Sequence, residues 1–140
     1  MWLIKANRIR LSAKHIQVIK GLLCPYCGAK SALVDSAEVY GRSYNCMMYW
    51  CRPCDAYVGC HKNSTESKGR LANKKLRTLK ILAHQHFDKI WKKEKMTRTE
   101  AYQWLSKHLE LPGEYTHIGM FNEKTCIEVI RASKKKFGEL

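Results

Sequence analysis

A chain of 140 residues with 26 Lys and Arg against 12 Asp and Glu has a formal net charge of +14, and it can bury one modest core but not two independent ones. Seven cysteines exclude a fully paired disulfide scaffold, and the opening MWLIKANRIR has neither the apolar run nor the cleavage site of a secretory leader. No stretch approaches the roughly 18 consecutive apolar residues of a membrane span, so the composition predicts a cytoplasmic protein in a reducing compartment, away from membranes.

The charge is unevenly placed. Residues 1–23 carry five basic and no acidic groups, residues 24–60 three of each, and residues 61–95 eleven basic against three acidic. A neutral cysteine-rich segment is thus flanked by positive blocks, which attract polyanions, nucleic acid first among them. A solvated, solubilising face is the competing explanation.

Residues 1–23 read as a basic arm followed by a short helix. The first eleven suit either a strand or a flexible arm. Ser12 can cap a helix over AKHIQVIK that ends at Gly21, with Ile16 and Ile19 turned toward a core.

Residues 24–61 form the most informative segment. CPYC and CRPC place Cys24, Cys27, Cys51 and Cys54 in a C-x2-C-x23-C-x2-C pattern. A C-x2-C turn lets two thiolates reach one ion, and two such turns supply the four tetrahedral ligands of Zn²⁺. Four protein ligands leave no open position for a catalytic water, so one structural Zn²⁺ is expected. Pro25 and Pro53 stiffen the knuckles, and Gly28 offers a residue tolerant of positive φ. A redox role for one C-x-x-C would need a βαβ setting that is not visible and would leave the second pair superfluous. Between the knuckles, SALVDSAEVY and YNCMMYW read as two strands joined at GRS, and AYVGC adds a third. Cys46 and Cys126 read as small buried hydrophobes. A second metal site using Cys60 and His61 is disfavoured, because adjacent ligands seldom reach one ion without strain.

HKNSTESKGR at 61–70 reads as a polar linker to a helical module over 71–137. From Leu71, Ala72, Leu76, Leu79, Ala83, Phe87 and Ile90 recur at helical spacing, while Lys74, Arg77, His84, Gln85 and Lys92 fall on the opposite side. A second helix over TRTEAYQWLSKHL opens with a Thr97/Glu100 capping box and stops by Pro112-Gly113; its buried stripe is Ala101, Trp104, Leu105 and Leu109. Asn122 caps a third, with Cys126, Ile127, Val129 and Ile130 apolar and Lys134, Lys135 and Lys136 forming a basic end. The dozen residues between Leu109 and Asn122 are too many for a helix-turn-helix, which argues against a recognition helix in the major groove. The expected fold is therefore α+β: a zinc ribbon with a small three-stranded antiparallel sheet, packed as one compact unit with a bundle of about three helices.

Taken in order, CPYCG, YWCRPCDAYVGCHK, GRLANKKLR, AHQHFDKIW, RTEAYQWL and HIGMF resemble a family of small zinc-finger-containing proteins of bacteria and their phages. The resemblance spans roughly Cys24 to Ile130 and implies the zinc and the architecture, while contributing little on activity. Cys60 stands where the resemblance implies an aliphatic residue, which favours packing over ligation.

The leading functional expectation is a zinc-stabilised, non-catalytic nucleic-acid-binding protein. Its phosphate contacts would be Lys62, Lys68, Arg70, Lys74, Lys75, Arg77, Lys80 and His117, each releasing counterions. Tyr44, Tyr49, Trp50 and Tyr57 offer stacking surfaces for bases, although strand alternation equally assigns rings such as Tyr44 and Trp50 to the core. The alternatives are an interaction or inhibitor protein that docks on a host nucleic-acid-processing enzyme, or an enzyme using His117 in a polar pocket with Arg77, His84 and Asp88. The lack of paired carboxylates, a phosphate-cradling Gly-rich loop or a nucleophile elbow weighs against the last.

Overall fold

The computed structural model describes residues 12–93 and 96–138, so the basic arm expected over residues 1–11 lies outside them. The described residues divide into two compact units, one running to Arg77 and the other starting at Thr78.

The first unit opens with α1 (Ala13–Ile19). Ser12 caps it as expected, its side chain accepting from the His15 N–H, and Ile19 is buried. The chain leaves the helix through Gly21 at φ +78°. A Cβ there would sit 2.6 Å from the Gly69 carbonyl oxygen and 3.1 Å from Val58 Cγ1. The Ser31 hydroxyl donates to the Gly21 carbonyl at 2.6 Å, and the Ser67 hydroxyl donates to that of Lys20.

Strands β1 (Ala32–Asp35), β2 (Met47–Cys51) and β3 (Ala56–Gly59) form an antiparallel sheet in that order. Ala32 pairs with Trp50 and Trp50 with Tyr57; Leu33 pairs with Tyr49 and Tyr49 with Val58. Cross-strand partners share a face, so Tyr49, Cys51, Ala56 and Val58 point one way, into a core with Cys24 and Leu71. Met48, Trp50 and Tyr57 point the other way.

The expected strand over SALVDSAEVY holds only as far as Asp35. There the Asp35 carboxylate accepts from the Ala37 N–H and starts α2 (Ser36–Tyr40), which ends at Gly41. A local cap therefore overrides the β-branched propensity of the segment. Ser36 is fully buried, its hydroxyl accepting from the Tyr44 N–H at 2.8 Å.

The stretch read as a linker is hydrogen-bonded structure. The His61 N–H donates to the Glu66 carbonyl, Cys60 bridges to Ser67, and Lys68 donates to the Gly59 carbonyl at 2.9 Å. Ala72 then pairs with Tyr57, exchanging both backbone hydrogen bonds. Leu71 and Ala72 are buried in this extended segment, and α3 (Lys74–Lys93) starts only after Asn73, whose side chain accepts from the Leu76 N–H at 3.0 Å.

In the second unit, α3 buries Ala83, Phe87 and Ile90 at the expected spacing. Helix α4 (Arg98–Leu109) carries the full Thr97/Glu100 capping box. Two single 3₁₀ turns, Gly113–Tyr115 and Ile118–Met120, lead to α5 (Glu123–Phe137), capped by Asn122. Its inner face is Cys126, Val129 and Ala132; Ile127 is exposed. Phe87 lies against Tyr102 with centroids 4.6 Å apart, and the Lys80 ammonium donates to the Gly119 carbonyl at 2.8 Å. Among the described residues no helix is long and apolar enough to cross a membrane.

Candidate metal centre and cationic surface

The first knuckle is a tight hairpin. The Cys24 N–H donates to the Ala29 carbonyl, the Gly28 N–H returns to the Cys24 carbonyl, and Leu23 bridges to Lys30. Gly28 sits at φ +79° in open space, as its place after the ligand pair predicts. The Tyr26 N–H points at the Cys24 sulfur, 3.4 Å away. The second knuckle closes where the Asp55 N–H donates to the Arg52 carbonyl. Strand β2 delivers Cys51, β3 begins two residues after Cys54, and the two knuckles meet at one end of the sheet.

All four sulfurs lie within 4.8 Å of one another, with the Cys27 and Cys51 sulfurs 3.7 Å apart. Four thiolates at a Zn–S distance of about 2.3 Å around a tetrahedral ion stand about 3.8 Å apart, so the donor set fits one Zn²⁺. Cys24 and Cys51 are buried, Cys54 half-buried and Cys27 exposed. Their protonation preferences differ accordingly. A hydrogen bond from the Ala29 backbone lowers the Cys27 thiol, whereas burial raises Cys51 and pushes Cys54 up to about 12. A divalent cation held by the four sulfurs would offset that cost by favouring the thiolate form of its ligands. The four-cysteine cluster is a structural zinc site with a closed coordination sphere.

Residues 20–136 match the family model of a zinc-finger-containing domain. The chain belongs to that family. No curated protein and no solved structure matches it. Among the described residues of this zinc-finger-containing domain, the four zinc-site cysteines are the only cluster of three or more metal-ligating side chains. Cys60 and Cys126 are buried and Cys46 is half-buried.

Of the basic residues singled out in the sequence, six belong to the first unit and two, Lys80 and His117, to the second. Lys62, Lys68, Lys74 and Lys75 are exposed in the first unit, and Arg70 is half-buried. Arg77 is built into the ribbon: its Nη1 donates to the Ala72 and Asp55 carbonyls at 2.8 and 3.0 Å, and its guanidinium covers the Tyr57 ring at 4.2 Å. Lys80 is half-buried on Gly119. His117 is exposed, its ring tilted against Tyr102 at 5.9 Å. It shares a cavity with α4, while His84 and Asp88 line a different depression with Lys89 and Lys92, so the polar pocket expected around His117 has other walls.

Tyr44 and Tyr57, expected as stacking surfaces, belong to a ladder of rings on the first unit whose middle member, Tyr40, the sequence did not reveal. Tyr40 meets Tyr44 and Tyr57 in edge-on contacts at 5.4 and 5.5 Å. Arg42 lies 5.2 Å over Tyr44, and Arg77 closes the far end on Tyr57. Arg52 covers Trp50, the cross-strand neighbour of Tyr57, at 4.6 Å. Tyr40 and Tyr44 remain 48% and 56% exposed. Of the rings proposed for stacking, Tyr49 faces the core and donates to the Thr65 carbonyl. The signal for Tyr40 is its position at the end of α2, which reading that segment as a strand conceals.

Proposed function

We propose that this zinc-finger-containing domain binds nucleic acid without transforming it. The zinc would fix the ribbon while lysines meet phosphates and the arginine-capped tyrosines meet bases. The observation that carries the reading is the ladder Arg42–Tyr44–Tyr40–Tyr57–Arg77 on a unit holding eleven basic and four acidic side chains. Exposed rings flanked by guanidinium groups stack on bases of any sequence, and exposed lysines bind the backbone through counterion release. Two of the four acids are already engaged, Asp35 as a helix cap and Asp55 beside Arg77.

The test is fluorescence anisotropy with labelled DNA and RNA at two salt concentrations. Affinity should fall steeply with salt, and replacing Lys62, Lys68, Lys74 and Lys75 together by Glu should weaken binding at least about tenfold. Arg77 is left intact in that variant because its loss would disturb the sheet itself. Salt-independent affinity, or an affinity unchanged in the quadruple variant, refutes the reading. Docking on an acidic groove of a nucleic-acid-processing enzyme, the competing reading, predicts no binding to either polymer.

A further inference from the structure

The unit that starts at Thr78 contains a cavity of about 590 Å³ between α4 and the 3₁₀ segment, within the size range of small-ligand sites. Arg98, Thr99, Gln103 and Lys107 lie along one side of α4, and His117 closes the opposite rim. Tyr102 forms the wall between them, held on three sides: Phe87 at 4.6 Å, His117 at 5.9 Å, and the Arg98 guanidinium over its ring at 4.9 Å.

The lining of this cavity carries basic side chains and no acidic ones. Eight acidic side chains follow Thr78 in the sequence, yet none of the nine residues lining the cavity is acidic. Asp88 accepts from the Trp91 indole, Glu100 from the Thr97 N–H, and Glu128 is bound by His108 and Arg131. The hydroxyls of Ser106 and Thr116 donate to the carbonyls of Leu111 and Pro112, so they serve as wall rather than as donors. Donors of the cavity are then the Arg98 guanidinium, the Lys107 ammonium, the Gln103 amide and the Thr99 hydroxyl. The Arg98 guanidinium carbon stands 4.9 Å from the Tyr102 ring centroid, and a guanidinium offers a planar fork of N–H groups suited to two oxygens of one anion. A single carboxylate would leave part of this donor set unused, whereas a phosphate monoester offers three oxygens and up to two negative charges.

From this geometry we infer that the cavity between α4 and His117 is a binding site for a phosphate monoester, held by Arg98 and Lys107 and carried either by a small nucleotide or by the 5′ end of a strand. The site uses residues of the helical unit alone and stands whether or not the ribbon binds nucleic acid.

The full zinc-loaded chain is titrated with 5′-AMP, with adenosine, and with one short oligonucleotide bearing either a 5′-phosphate or a 5′-hydroxyl, following the amide signals of Thr99, Gln103 and Lys107 by NMR. At least one phosphorylated ligand should shift these signals and saturate, while adenosine should bind at least about tenfold more weakly than 5′-AMP, and the 5′-hydroxyl strand than its phosphorylated form, wherever that form binds. Saturation by 5′-AMP alone assigns the free nucleotide; a preference for the 5′-phosphorylated strand assigns the strand end. Arg98→Gln and Lys107→Gln, both at exposed positions, should each weaken the phosphorylated ligand about tenfold with the thermal midpoint unchanged. If no phosphorylated ligand shifts these signals, if adenosine binds as well as 5′-AMP, or if neither substitution weakens binding, the site is not what we propose.

Discussion

Gly21 is the residue on which the first unit turns. Its φ of +78° lies in the left-handed region, and its missing side chain lets the Gly69 carbonyl approach to within 2.6 Å of where a Cβ would stand. Any L-residue meets two costs there, the backbone conformation at about 1–2 kcal/mol and a collision with a main-chain oxygen that cannot swing away. Gly21→Ala is therefore expected to destabilise the protein by about 2–4 kcal/mol. Gly28→Ala, at the same φ but with nothing near, should cost only the conformational part, about 1–2 kcal/mol. Urea unfolding of both variants checks the ordering; equal losses would show that the close approach to Gly69 contributes nothing.

Helices α4 and α5 are joined by one carboxylate. Glu128 accepts from Arg131 Nη2 at 2.7 Å on its own helix and lies 2.7 Å from His108 Nε2 on the other, and these two partners, Arg131 first, hold its carboxyl down to about 2. The depressed value fixes the sign: the stabilisation is complete above the ordinary 4.5 and is lost as the pH falls toward about 2. Because the pair is a third exposed, screening keeps it to about 1 kcal/mol or less at neutral pH. Glu128→Gln should flatten the stability profile between those two pH values, measured by urea unfolding across that range. A profile as steep as the parent's would assign the acid sensitivity to other carboxylates. The same scale explains which elements can be read from the chain. Ser12, Thr97 with Glu100, and Asn122 mark their helices because a cap is chemistry among residues three apart. Asp35 with Glu38 carries the same signature, masked by the β-branched residues around it. The returning segment after Cys60 and the seat of Arg77 against Tyr57 depend on partners twenty or so residues distant in some contacts, which no local pattern reveals.

For the whole molecule, the zinc ligands all fall before Arg77. The metal is the most legible feature of the sequence, since two C-x2-C pairs specify their own geometry, whereas the ring ladder and the α4 cavity arise from the fold. Because Cys24 and Cys51 sit within the core of the sheet, alongside Ala56, Val58 and Leu71, removing the ion leaves four thiols and a small apolar cluster to hold three short strands. Structural zinc supplies on the order of 10 kcal/mol in isolated fingers. Chelation, or Cys51→Ser, is thus expected to abolish hydrogen-exchange protection across β1, β2 and β3 while α4 and α5 retain theirs. Protection that survives in the strands would show that the sheet stands without its metal.

The unequal wrapping of the four sulfurs has a kinetic consequence. Cys24 and Cys51 are closed off from solvent and Cys54 is half-buried, but Cys27 stands at the surface, so a competing chelator, an oxidant or an alkylating reagent meets Cys27 first in dismantling the cluster. How long the ribbon keeps its ion under such attack is set less by the affinity of the cage than by how tightly its most outward corner stays latched.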